Sequence, residues 1–177
     1  MNHNHHGGHT GEPRILRRSF SDFLPLVIIG LAIIAWTVFR QWWYGAWQGD
    51  RAMMDFMAGF FLIFGTFKIA NWRGFVRAYQ MYDIVAMRSV AYAYAYPLVE
   101  LGLGAAYLVR WNMPVVNGVT LIVMGVSSIG VVRKLLEREE IPCACLGAVF
   151  KIPMTWVTFA EDILMAAMAL AMLVFFV

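Results

Sequence analysis

"FMAGFFLIFGTFKIANWRGFVRAYQMYDIVAMR", residues 56–88, changes character halfway. Up to Ala70 it is an apolar run closed by Lys68; from Trp72 onward Arg73, Arg77, Asp83 and Arg88 are mixed with aromatics at helical spacing. Extended back to Met53, the first half has the character of a helix that crosses a membrane, since about 20 apolar residues span roughly 30 Å of hydrocarbon. The second half would have to bury its arginines to cross, so it reads as an amphipathic helix lying in the membrane interface. A span that runs into an interfacial helix makes this an all-α membrane protein.

Working outward, four further apolar runs cover about Phe23–Phe39, Ala91–Val109, Val115–Val132 and Thr155–Val177. Of the 177 residues, 61% are hydrophobic and 14% charged, a balance far from that of soluble domains and leaving no room for one beside five spans. Trp36, Trp42, Trp43, Tyr44 and Trp47 end the first run with residue types that settle at a membrane surface. Arg14, Arg17 and Arg18 precede that run with no small-x-small cleavage pattern, so it is expected to stay as an anchor. The organisation expected is a disordered, His-rich basic tail (1–21), an additional N-terminal transmembrane helix with an aromatic loop (22–52), and a four-helix transmembrane bundle (53–177).

Lys and Arg collect on one side of such a chain: Arg14, Arg17, Arg18, Arg73, Arg77, Arg88, Arg133, Lys134 and Arg138, against Arg40, Arg51 and Arg110 on the other. Positively charged loops stay in the cytoplasm, so the N-terminus is expected inside and the C-terminus outside. Small residues at Gly102, Gly104, Ala105 and Ala106, and at Gly125, Ser127, Ser128 and Gly130, are expected to let helix backbones approach closely. The net charge of +3 sits beside the apolar runs and forms no face suited to nucleic acid. With no Gly-rich phosphate loop, no Ser-His-Asp arrangement and no HExxH motif, hydrolases and nucleotide enzymes are poor fits.

Reactive chemistry concentrates in "IPCACLGAVFKIPM", residues 141–154, which holds the two cysteines, Cys143 and Cys145. Alternate residues of an extended stretch point the same way, so the two sulfurs can be presented together. Two thiolates suit Cu(I) or another thiophilic metal. A disulfide closing so short a ring departs from relaxed geometry and is easily reduced, which suits a redox couple equally. Spacing alone does not separate metal from electrons.

On the last run Glu161, Met165, Met168 and Met172 share one helical face, either a soft-ligand route below the cysteines and Met154 or simple core packing. Glu100, within "YAYAYPLVELGLG" (92–104), is an ionisable group at membrane depth. Such a group faces the bundle interior, either paired with Lys68 or serving as an ion or proton site. Asp162 reads as a carboxylate favoured by the start of its helix. Tyr92, Tyr94 and Tyr96 are either interface anchors or the wall of a quinone or substrate pocket. His3, His5, His6 and His9 form an accessory cluster able to capture metal, or a solvated tail.

From about Met53 to the end, the chain resembles the MauE/DoxX-like family of small four-span membrane proteins. The likeness rests on residues 56–88 quoted above, "YAYPLVELGLGAAYL", "VMGVSSIGVVRKLL" and "IPCACLGAVFKIPMTWVTFAEDILMAAMA", with Lys68, Tyr82, Glu100 and the Cys143/Cys145 pair at matching places. The resemblance implies the inner membrane of a prokaryote and a redox association, in which a member assists maturation of a disulfide-rich dehydrogenase beside a thioredoxin-like partner. The branch with "CACLG", "PMTWVT" and "EDILMAAMA" often carries an N-terminal heavy-metal-associated domain; here a His-rich tail and an extra span stand in its place. The leading expectation is therefore handling of a soft ion, Cu(I) first, by Cys143 and Cys145, with the lipid bilayer around it and a metal chaperone as partner. The alternative is a thiol–disulfide oxidoreductase working with a thioredoxin-like protein or a quinone. A non-catalytic subunit of a larger membrane complex is the third reading.

Overall fold

The computed structural model describes residues 24–45, 47–137 and 156–176. They form six helices: α1 (Leu24–Trp43), α2 (Gly49–Ala70), α3 (Trp72–Tyr79), α4 (Val90–Val109), α5 (Met113–Glu137) and α6 (Trp156–Phe175). Among the described residues there is no strand. The cysteine pair, Met154 and the four tail histidines lie outside the described residues.

Helix ends follow local chemistry. Ser89 caps α4 by accepting from the Tyr92 backbone N–H, and Asn71 caps α3 by accepting from Gly74. α4 stops at Arg110, whose backbone turns left-handed at φ 56° and closes the last turn onto Ala106 and Tyr107. α5 runs five residues past the expected Val132 because Arg133 and Lys134 both pair with Glu137 one turn on.

α1, α2 and α5 are long and apolar enough to cross a membrane. α4 and α6, of 20 residues each, carry Glu100 and the Glu161/Asp162 pair within them. α2 packs chiefly on α4, and α5 on α6; α1 touches α2 alone among the described helices. The α2–α4 contact is close because of two glycines. A Cβ on Gly104 would stand 3.0 Å from the Leu62 backbone nitrogen, and one on Gly65 would stand 2.9 Å from the Leu101 side chain. Close backbone approach of this kind supplies packing where lipid gives no hydrophobic drive between helices. Gly102 and Gly125 do not share that role, since nothing lies within 4 Å of either Cβ position. Polar clips complete the bundle: Tyr107 on α4 bonds Asn117 (2.7 Å) and Thr120 (3.0 Å) on α5, and Arg40 on α1 pairs with Asp55 on α2 (3.2 Å).

The interfacial segment is shorter and deeper than its sequence suggests. α3 has only eight residues, and turns lead from Gln80 to Ser89. The buried carboxylate of Asp83 explains the stop: it accepts from the backbone N–H groups of Val85 (2.9 Å) and Ala86 (2.8 Å) and from the Tyr79 hydroxyl (3.0 Å). A side chain that satisfies its own neighbouring backbone competes with helix continuation. Phe75, Val76, Tyr79 and Tyr82 turn their apolar surface into the bundle. Gly130 of α5 admits this loop, for a Cβ there would sit 2.6 Å from the Tyr82 carbonyl oxygen.

Candidate functional site

Where α2, α4, α5 and α6 meet the α3 segment, their side chains line a cavity of about 20 Å³, room for roughly one water. Lys68, near the end of α2, reaches into it and forms an ion pair with Glu100 of α4. Glu100 is 1% exposed and Lys68 7%, so the pair is shielded from solvent. Aromatic rings support the ammonium: its Nζ stands 5.0 Å from the Tyr96 ring centre and 5.6 Å from that of Phe75. A cation over ring faces in a desolvated place gains on the order of 2 kcal/mol. Phe75, Tyr79 and Tyr96 hold one another in turn, with Phe75 stacked on Tyr79 at 5.0 Å and Tyr79 4.5 Å from Tyr96.

The opposite wall comes from α5 and α6. Ser127 donates to Asp162 at 3.1 Å, and Glu161 and Val131 border the same cavity. Asp162 lies six residues beyond Trp156, past the first helical turn. The helix-start role read from sequence therefore gives way to a cavity role, because the favourable N-terminal field fades within that turn. Outside the spans, Tyr79 and Tyr82 of the α3 segment are held neutral: burial pushes both phenols well above their ordinary range, and the nearby Asp83 carboxylate adds to it.

The structure thus brings Lys68, Glu100 and Glu161 together. Of the three tyrosines singled out, Tyr96 lines the cavity, Tyr92 packs behind it against Tyr79, and Tyr94 faces outward. Met165 and Met172 are buried in the hydrophobic core and Met168 packs against it. Sequence reasoning missed the convergence of Asp162, Ser127, Tyr79 and Tyr82. Tyr82 carried a signal as a position matched in the family resemblance, whereas Asp162 and Ser127 stood out for other roles, a helix start and close packing. Among the described residues, no three of His, Cys, Asp and Glu are arranged to hold a metal ion.

An apolar helical bundle around a buried ion pair, clad in lipid-compatible side chains, defines an integral membrane protein. Residues 51–175 match the family model described as methylamine utilisation protein MauE, and the chain belongs to that family. Comparisons with curated proteins and with solved structures give no match.

Proposed function

We propose that the chain is a membrane thiol–disulfide exchange protein, with Cys143 and Cys145 as its redox couple and a thioredoxin-like protein as its partner. The observation that carries this reading is the content of the cavity near the end of α5 and the start of α6. Residues 138–155 join the end of α5 to the start of α6, and Val131 and Glu161 border the cavity within about 9 Å of helix rise from those two ends. The groups collected there are carboxyls, phenols and an ammonium, which carry protons, and thiol exchange moves protons with its electrons. In the exchange, one cysteine thiolate attacks the partner's disulfide and forms a mixed disulfide as the partner's S–S bond breaks. The second cysteine then displaces the partner, which leaves as a dithiol, while Cys143 and Cys145 become the disulfide. Two electrons pass from this chain to the partner, and the reaction runs in either direction.

A second reading, handling of a soft ion such as Cu(I) by the same two thiolates, draws support from the inward face of α6, where Met165 and Met172 follow Glu161. Core packing accounts for those methionines without a ligand role.

The test is to equilibrate the full chain in lipid vesicles with graded dithiol/disulfide buffers and count free thiols by alkylation. Beside it runs an anaerobic Cu(I) titration against a chromophoric chelator. Interconversion with one midpoint, lost in either single Cys→Ser variant, supports exchange. Thiols that stay reduced throughout, with one Cu(I) bound per chain and lost in the double variant, overturn exchange in favour of the metal. If neither occurs, the chain is an assembly subunit.

A further inference from the structure

Among the described residues, the charges around the cavity do not balance. α2 contributes one cation to the cavity, Lys68, and Glu100 of α4 engages it. α6 adds two more carboxyls, Glu161 and Asp162, and among the described residues neither has an ion-pair partner. What Asp162 meets is the neutral Ser127 hydroxyl of α5. From the α3 segment come the phenols of Tyr79 and Tyr82, with Asp83 behind them already using its own three donors. From α4 comes the phenol of Tyr96, close to both Glu100 and Ser127.

Among the described residues, the single Lys68 ammonium, already engaged by Glu100, has to serve two further carboxylates as well, and holding both charged in such desolvated surroundings is unfavourable. Only a cation or protons can relieve them. A further cation fits poorly, because the Lys68 ammonium already lines the cavity and the space within it is that of about one water. Apart from Glu161 and Asp162, Glu100 points to a ligand: its Oε2 is fully buried and has no hydrogen bond of ordinary geometry among the described groups, although the Tyr96 phenol stands close to the carboxylate. A buried carboxylate oxygen left open is an acceptor for a proton or for a water that carries one.

We propose that this cavity is a proton-binding site inside the membrane, in which Glu161 and Asp162 share an exchangeable proton beside the Lys68–Glu100 pair. Ser127 positions Asp162, and Glu100 Oε2 is the acceptor toward which the proton, or a water bearing it, moves. The assignment uses no property of the cysteines, so it stands whether or not they exchange electrons.

Infrared difference spectroscopy of the full chain in lipid vesicles tests it by following the carboxylic-acid C=O stretch through a pH titration in H2O and D2O. The expected result is a protonated-carboxyl band at neutral pH that shifts in D2O and disappears as pH rises. Asp162→Asn or Glu161→Gln should remove most of it, and Ser127→Ala should move its frequency by deleting the hydrogen bond. A Cys143→Ser/Cys145→Ser variant should keep the band, which separates this proposal from the thiol reading. No band at neutral pH, or a band unchanged in both carboxyl variants, overturns the proposal. Should a carboxyl variant fail to fold, Ser127→Ala decides, since an unshifted band removes Asp162 from the site.

Discussion

The Lys68 ammonium on α2 meets the Glu100 carboxylate on α4, 32 positions along the chain, at a point where both are buried. The two helices are also the pair that glycine brings into close contact, so backbone approach and charge pairing fasten the same interface. Removing one partner leaves the other as an uncompensated buried charge. Lys68→Met should therefore destabilise the bundle by about 3–5 kcal/mol, whereas Lys68→Met/Glu100→Leu should recover most of that loss. Reversible unfolding in mixed micelles, followed by helical circular dichroism, measures both. Equal losses in the single and double variants would mean that the charges are not coupled.

Gly130 is needed for a different reason. From α5 it faces the Tyr82 carbonyl of the α3 segment, and the backbone there cannot move aside as a flexible side chain would. Gly130→Ala is expected to cost about 1–3 kcal/mol through overpacking. Gly102→Ala is the control, because open space surrounds its Cβ position and alanine is favoured over glycine in a helix by about 1 kcal/mol. The same unfolding measurement should separate a destabilised variant from a neutral or stabilised one.

Alkaline stability should report on Tyr79. Burial, then the neighbouring Tyr96 and Asp83, raises its phenol well above the ordinary value. The folded state thus holds the proton that the unfolded chain releases near pH 10. The contribution is complete below about pH 10 and is lost as pH climbs toward the folded-state value. Thermal unfolding from pH 8 upward should show stability falling beyond about pH 10. Tyr79→Phe should flatten that fall while lowering stability at neutral pH, because Asp83 loses one of its donors. An unchanged slope would assign the alkaline loss to other groups, with Tyr82 the first candidate.

Much of this fold can be read without coordinates, for a physical reason. Lipid imposes length and apolarity, so the expected run at Ala91–Val109 lies within a residue of α4, and α5 departs from Val115–Val132 mainly where Glu137 pairing carries it beyond the apolar run. Lys68 and Glu100 are also legible, since charges at membrane depth need partners. The α3 segment is not. Its aromatics and arginines alternate like those of a surface helix, and only Asp83 folding back on Val85 and Ala86 shows why it stops and turns inward. Nor can one-dimensional spacing bring Ser127 to Asp162, because that contact depends on the packing of α5 against α6.

The orientation across the membrane can be tested with the cysteines themselves. Lys68, Val131 and Glu161 border one cavity, so the α2–α3 junction, the end of α5 and the start of α6 share one end of the bundle. Arg73, Arg77, Arg133 and Lys134 belong to that end. Arg40 and Arg110 both stand over the Tyr44 ring, at 5.1 and 5.9 Å, and about 20 Å of α2 separates Asp55, the partner of Arg40, from Lys68. The basic excess therefore falls on the end from which the chain leaves α5 toward Cys143 and Cys145, and basic ends are retained in the cytoplasm. A membrane-impermeant maleimide applied to sealed vesicles should label the two cysteines only from the cytoplasmic side. Labelling only from the opposite side would invert the whole bundle, because the cavity fixes these helix ends to one another.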